Sequence, residues 1–206
     1  MCSEEMTKGE LTRQTIIAKA APLFNQLGYA GCSIQDVMRV TGLEKGGLYR
    51  HFASKEELAT EVFQYSARRV LGARLEGLEK IDGSTKKLRF FIDRFVEIQS
   101  TIPGGCPVMN TAIEADDGNP ALRKLVQQAV RQWKESIAAI VRTGIEKGEI
   151  RAETEPRRVA NVIISALEGA LMISRLEGNR NAMHDVQVVL REMLGSIESR
   201  SKINRR

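Results

Sequence analysis

Apolar residues in this chain recur at helical spacing almost throughout and nowhere show the strict alternation of a strand, which points to an all-α fold. From Thr12 to Leu27, the positions Ile17, Ala20, Ala21, Phe24 and Leu27 share one face at a 3.6-residue period, and Gly28 is placed to follow as a C′ residue. Pro22 removes one backbone donor inside this segment, so a bend or a loosened turn is expected there. Ser33 and Asp36 have capping-box spacing and open a short helix with Ile34, Val37 and Met38 inward, which Gly42 stops. A second short helix fits Glu44 to Phe52. Ser54 and Glu57 make another capping box at the head of a long helix from Lys55 towards Leu78.

After a break at "IDGST", an amphipathic helix is predicted from Lys86 to Ser100, burying Leu88, Phe91, Ile92, Phe95 and Val96. "TIPGGCPVMN" is the strongest loop signal in the chain, and a short helix follows from Pro107 to about Asp116. Asn119 can cap, and Pro120 can begin, a helix running to about Lys147 and ending at Gly148. The segment Arg157–Glu177 carries the stripe Val159, Val162, Ile163, Ala166, Leu167, Ala170 and Leu171. The last helix, His184 to about Ser199, repeats the pattern with Val186, Val189, Leu190, Met193, Leu194 and Ile197. The basic end "RSKINRR" reads as a mobile tail. The count is about nine helices.

Composition narrows the class. The 206 residues are enough for one large domain or two small ones, and 42% hydrophobic with 28% charged residues is ordinary for a soluble globular protein. No apolar run approaches the roughly 20 residues needed to span a bilayer. The polar start "MCSEEMTKGE" has no signal-peptide core, so a cytoplasmic protein without membrane association is expected. A net charge of +5 and a pI near 9.2 fit a polyanion partner without requiring one. Cys2, Cys32 and Cys106 are odd in number and scattered, and the histidines are His51 and His184 alone. That argues against a disulfide framework or structural zinc, and no cofactor is expected.

The stretch "SIQDVMRV-TGLE-KGGLYRHF" has the form of a helix-turn-helix, whose second helix enters the major groove of double-stranded DNA. Glycine weakens a helix interior by roughly 1 kcal/mol relative to alanine, so Gly46 and Gly47 at the start of that helix need a reason. A missing Cβ lets the backbone approach base edges and phosphates, and a helix N-terminus favours phosphate. "GLEKGG" is not a phosphate loop, because G-x-x-x-x-G-K-[ST] is absent and no strand precedes it.

"GYAGCSIQDVMRVTGLEKGGLYRHFASKEEL", residues 28 to 58, resembles the TetR/AcrR family of transcriptional regulators nearly position by position. "IIAKAAPLFNQ" is similar to that family's first helix. The resemblance covers roughly residues 12 to 60; beyond them only the helical organisation agrees. It implies a three-helix DNA-binding domain over residues 1–54 and a helical effector-binding and dimerisation domain over 55–206. Carried over by position, Ser33 would touch a phosphate through its hydroxyl or backbone N–H, and Gln35 would point towards the groove. Lys45, Gly46 and Gly47 would open the recognition helix. Tyr49 would meet the backbone or a thymine methyl, though it also reads as partly core. Arg50 would reach a base or phosphate, His51 a phosphate, and Lys55 a further phosphate. An arginine bidentate to guanine is worth ~1–3 kcal/mol of discrimination.

The same resemblance implies that the last two helices of two chains form a four-helix bundle. Ala166, Gly169, Ala170 and Ser174 supply small side chains for close approach; alternatively these stripes face only their own core. A homodimer would set two recognition helices about one helical turn apart on a palindromic operator. The function implied is a homodimeric repressor released by a small-molecule effector of unknown chemistry. Phe63, Phe91, Phe95, Met109, Ile113, Trp133 and Met172 are candidate apolar walls of its pocket, with Asn110, Glu114 and Glu168 as polar handles. Each also reads as core or surface. Cys106, at a helix start that resembles those of redox- or electrophile-sensing relatives, gives an alternative in which a low-pKa thiol is the sensor. Against it stands Cys106 as a small buried apolar residue. An enzyme is disfavoured by the lack of metal cluster, phosphate loop or nucleophile motif. A non-specific nucleic-acid binder is disfavoured by Glu44, Glu56 and Glu57, which interrupt the positive charge of the head.

Overall fold

The computed structural model describes residues 6–116 and 118–199, so Cys2 and the basic tail from Arg200 lie outside the described residues. Among them are nine α-helices: α1 Lys8–Gly31, α2 Ile34–Thr41, α3 Lys45–Tyr49, α4 Lys55–Leu75, α5 Ser84–Glu97, α6 Pro107–Ala115, α7 Pro120–Glu146, α8 Pro156–Glu177 and α9 Asn181–Ile197. A 3-10 turn, Leu78–Lys80, occupies the connection before α5. The fold class is all-α. Of the described residues, those up to Val70 with those of Ser100–Gln128 make one compact unit, and Leu71–Gln99 with those from Ala129 make a second.

In the first unit, α1 to α3 and the start of α4 close around Ile16, Ile17, Ala20, Ala21, Val37, Leu48, Phe52, Leu58 and Val62, joined by Ile102 from the loop before α6. Burying a side chain of this size contributes roughly 1.5–3 kcal/mol. Arg13 fastens α1 to α4. Its guanidinium bonds Glu57 at 2.7 Å, also bonds Glu61, and lies 4.2 Å from the centre of the Phe52 ring. Those carboxylates hold the Arg13 guanidinium above its ordinary pKa, the Glu61 hydrogen bond contributing most.

The irregularity in α1 falls at Gly28 rather than at Pro22. Gly28, at φ 75 and ψ 175, is the residue of α1 with non-helical backbone angles, in a region that only glycine adopts readily. One more turn follows, to Gly31. The physical reason is tertiary: the Glu114 carboxylate of α6 accepts the Tyr29 N–H at 2.5 Å and the Ala30 N–H at 2.6 Å.

The second unit packs α5, α8, α9 and the later turns of α7 around Phe91, Ile92, Phe95, Trp133, Ile137, Val141, Ile163, Leu167, Leu190 and Leu194. Its C-terminal end is held by Arg151 N–H to Ile197 O at 3.0 Å and Ser199 N–H to Glu149 O at 2.9 Å. By length and composition, α8 is apolar enough to cross a membrane, which counting unbroken apolar runs misses because Glu168 interrupts it. Its Val159, Ala160, Ile163, Leu167 and Ala170 belong to this core, and Glu168 is ion-paired to Arg74 within it.

Candidate DNA-binding surface

The helix-turn-helix is built by two caps and a turn. The Ser33 hydroxyl oxygen accepts the Asp36 N–H at 3.1 Å, and the Asp36 carboxylate accepts the Ser33 N–H at 2.9 Å and its hydroxyl at 2.6 Å. Caps of this kind stabilise a helix by about 1 kcal/mol. These bonds also hold the Asp36 carboxyl below its ordinary pKa. The Ser33 groups expected at a phosphate are therefore already engaged by the cap. Gly42, in the left-handed region at φ 74, ends α2 with its N–H on Met38 O.

α3 is shorter than the segment Glu44 to Phe52 read from sequence. Beyond Tyr49 the chain tightens, with His51 N–H bonded to Leu48 O at 3.0 Å. Leu48 and Phe52, 1% and 2% exposed, anchor this turn in the core. On the other side Lys45, Gly46, Tyr49 and Arg50 are exposed, as are Ser33 and Gln35 at the start of α2; Gly47 and His51 are half-buried. A Cβ on Gly46 would meet nothing within 4 Å, so the fold itself does not need a glycine there. Lys55 is half-buried, its ammonium 4.4 Å from the Tyr29 ring centre.

The residues expected to bind an effector are not brought together as one set. In the first unit, Phe63 and Asn110 line a recess shared with Phe24, Asn25, Ser66 and Glu114. Cys106, the N-cap of α6, is 3% exposed and forms no disulfide. Met109 is half-buried, and Ile113 is largely exposed. In the second unit Phe91, Phe95 and Trp133 are core residues in mutual contact, whereas Met172 is exposed on α8.

Sequence reasoning passed over Arg74 and Asn25. Arg74 is 2% exposed, with its guanidinium 3.6 Å from the Phe95 ring centre and 3.8 Å from Glu168. Asn25 donates to Pro103 O at 2.8 Å, and Asn110 donates to Asn25 O at 3.0 Å, so α1, α6 and the loop before α6 share one polar network. The available signal was a polar residue at a register otherwise filled by Ile17, Ala21 and Phe24.

Comparison with known proteins agrees with this geometry. Residues 16–62 match the family model described as bacterial regulatory proteins, tetR family, and residues 84–190 match that of the tetracyclin repressor-like C-terminal domain. The chain is similar to the HTH-type transcriptional repressor DhaR of Mycobacterium sp. strain GP1, 28% identical over 192 residues, covering 91% of this chain and 94% of DhaR. A TetR transcriptional regulator from Chloroflexus aurantiacus J-10-FL is 42% identical, with a TM-score of 0.89, over 94% of this chain and 98% of its own. The fold is shared with a cysteine mutant of the TetR-family regulator CifR, 20% identical with a TM-score of 0.75 over 89% and 95% of the two chains; CifR was solved on 26-bp double-strand operator DNA. The chain therefore belongs to the TetR family and is a DNA-binding transcriptional regulator, not an enzyme.

Proposed function

We propose that this regulator is a cytoplasmic, homodimeric repressor of a palindromic operator, released by a small-molecule effector. Residues 1–54 would carry DNA recognition, and 55–206 effector binding and dimerisation. The observation that carries the DNA side is the exposed face of α3. Tyr49 and Arg50 stand out from a helix locked by Leu48 and Phe52, beside a Gly46 whose missing side chain leaves open space. Gln35, Lys45, Gly47, His51 and Lys55 complete the proposed contacts, with Ser33 serving chiefly as the cap that aims α2.

A partner chain is supported by a second apolar stripe on α8. Val162, Ala166, Gly169, Ile173 and Leu176 follow at steps of four and three residues, and Val162, Ile173 and Leu176 are 43%, 41% and 81% exposed. On α9, Val188 and Val189 are likewise exposed, whereas Leu190 is 1% exposed in its own core. Exposed apolar side chains gathered on one surface, rather than scattered singly, mark an interaction site. Release by an effector rather than by thiol chemistry is supported by the 3% exposure of Cys106.

Selection from random duplexes tests the reading. The protein should enrich a palindrome with half-sites about one helical turn apart. At fixed salt, Arg50→Ala and Tyr49→Ala should each weaken that complex by ~1–3 kcal/mol, while His51→Ala and Lys55→Ala should weaken selected and random DNA alike. Recovery of no enriched sequence, or variants that bind it unchanged, would overturn the assignment.

A further inference from the structure

We propose that the recess between α1, α4 and α6 binds a small primary ammonium carrying a short apolar tail, and is the site through which an effector acts. The second clause rests on the effector reading above; the first names the ligand class. The recess holds about 390 Å³ of unfilled space, part of it open to solvent, and every residue lining it belongs to the first unit. Its walls are apolar at Phe24, Tyr29 and Phe63 and polar at Ser66, Asn110 and Glu114. Apolar walls with a few convergent polar groups are the usual make-up of a small-molecule site. The space is narrow, which selects a small ligand.

The polar groups select the charge of the ligand. Among the lining residues Glu114 alone is charged; Lys55, whose ammonium lies 4.4 Å from the Tyr29 ring centre, is not one of them. The Glu114 carboxylate accepts the Tyr29 and Ala30 N–H groups, and a carboxylate offers about four lone-pair sites, so it can take further donors. Asn110 commits its amide N–H groups to Asn25 O at 3.0 Å and Gly104 O at 2.8 Å, so what it can offer a ligand is its oxygen. Ser66 is 2% exposed, and its hydroxyl has no hydrogen-bond partner among the described residues. Acceptors around one negative charge suit a cation with several N–H donors, and a primary ammonium is such a group. Aromatic walls attract a cation as well. An anion would face the Glu114 carboxylate with no cation in the lining to offset it. The same carboxylate holds the last turn of α1, which leads into Ser33 and α2. An ammonium drawing on it weakens that hold, so occupancy of the recess is felt at the helix-turn-helix.

Three probes with one tail separate the terms: isopentylamine, isopentanol and isovalerate, titrated calorimetrically into the full-length protein at neutral pH and fixed ionic strength. Isopentylamine should bind saturably and about tenfold more tightly than isopentanol, the value of one charge-assisted hydrogen bond. Isovalerate should bind more weakly than isopentanol. Ser66→Ala should weaken isopentylamine about fivefold. It should not lower the Tm of the free protein, because the hydroxyl it removes makes no bond to the described residues. In Glu114→Gln the preference for isopentylamine over isopentanol should vanish; the probe series and Ser66→Ala stand without that variant if it proves unstable. No saturable isopentylamine binding, isopentanol or isovalerate binding as tightly, or isopentylamine affinity unchanged in Ser66→Ala would overturn the ammonium site. Operator retention, measured on the same samples, separates the two readings. Isopentylamine binding with the stated preference yet leaving the operator bound keeps the ammonium site and sinks its role in release. Isopentanol or isovalerate releasing the operator as well as isopentylamine does sinks the ammonium site and leaves the effector reading standing.

Discussion

The Glu114 carboxylate stands where a side chain on Gly28 would have to go: a Cβ built there lies 2.6 Å from Glu114 Oε2. The same carboxylate takes the two backbone N–H groups that follow the break in α1. One residue of α6 thus fixes the final turn of the helix that leads into Ser33 and α2. Gly28→Ala should destabilise the protein through both its positive φ and the clash, by about 1–3 kcal/mol. Glu114→Ala alone should cost about 1–2 kcal/mol, for the hydrogen bonds to a charged acceptor in a partly exposed site. In the double variant the clash is gone and the backbone strain remains, so the summed costs should exceed the measured one. Denaturant unfolding of the four proteins checks this, and strict additivity would mean that the contact does not constrain α1.

Gly46 gives a prediction in which stability and function move in opposite directions. No atom lies within 4 Å of its missing Cβ, and its backbone is helical. Gly46→Ala should therefore stabilise the free protein, by up to about 1 kcal/mol. If DNA occupies the space beside Gly46, operator affinity should fall in the same variant. A raised Tm together with unchanged operator binding would mean that the duplex does not approach this turn.

The helices were legible from their apolar period, and some also from their caps: Ser33 and Asp36 announced α2, and Pro120 after Asn119 announced α7. The sequence could not say which side of α8 is inside. That helix is apolar on two sides, so the buried register of Val159, Ile163, Leu167 and Ala170 merges into one broad stripe with exposed Val162 and Ile173 and half-buried Ala166 and Gly169. On α9 too, one stripe holds two registers: Val189 shares the period of Leu190 and Met193 but is 60% exposed, whereas Leu190 is 1% exposed. The contacts of Glu114 and Arg74 were invisible because they join residues far apart in the chain, where local periodicity carries no information. On the proposed DNA-binding face the exposure of Tyr49 and Arg50 could be read, since Leu48 and Phe52 fix the opposite side of one turn.

The thiols divide the effector reading from the thiol-sensor alternative. Cys32 is fully buried, and desolvation, with a smaller contribution from Asp36, pushes its pKa up to about 11. Cys106 is 3% exposed. In a Cys2→Ser background, native protein at neutral pH should take up iodoacetamide at neither position, and both should label in denaturant. Native labelling of Cys106 with an apparent pKa below ~7.5, and loss of operator binding on oxidation that Cys106→Ser prevents, would favour thiol sensing instead.

Gly169 allows the proposed dimer to be broken without disturbing the subunit. It lies at the middle of the exposed α8 stripe, and a Cβ there would meet nothing within 4 Å in its own chain. An arginine can extend from this position into solvent, and arginine favours a helix over glycine by somewhat less than 1 kcal/mol. The isolated subunit should therefore keep its helical content and lose no stability. Against a partner helix the outcome reverses, because close approach requires the bare backbone and the new charge would be buried without a counterion at several kcal/mol. Light scattering should find the wild type as a dimer and Gly169→Arg as a monomer, with two-half-site operator binding lost. Gly169→Ala, adding one methyl group, should weaken dimerisation far less. A Gly169→Arg protein that stays dimeric and binds operator normally would move the interface away from this face of α8.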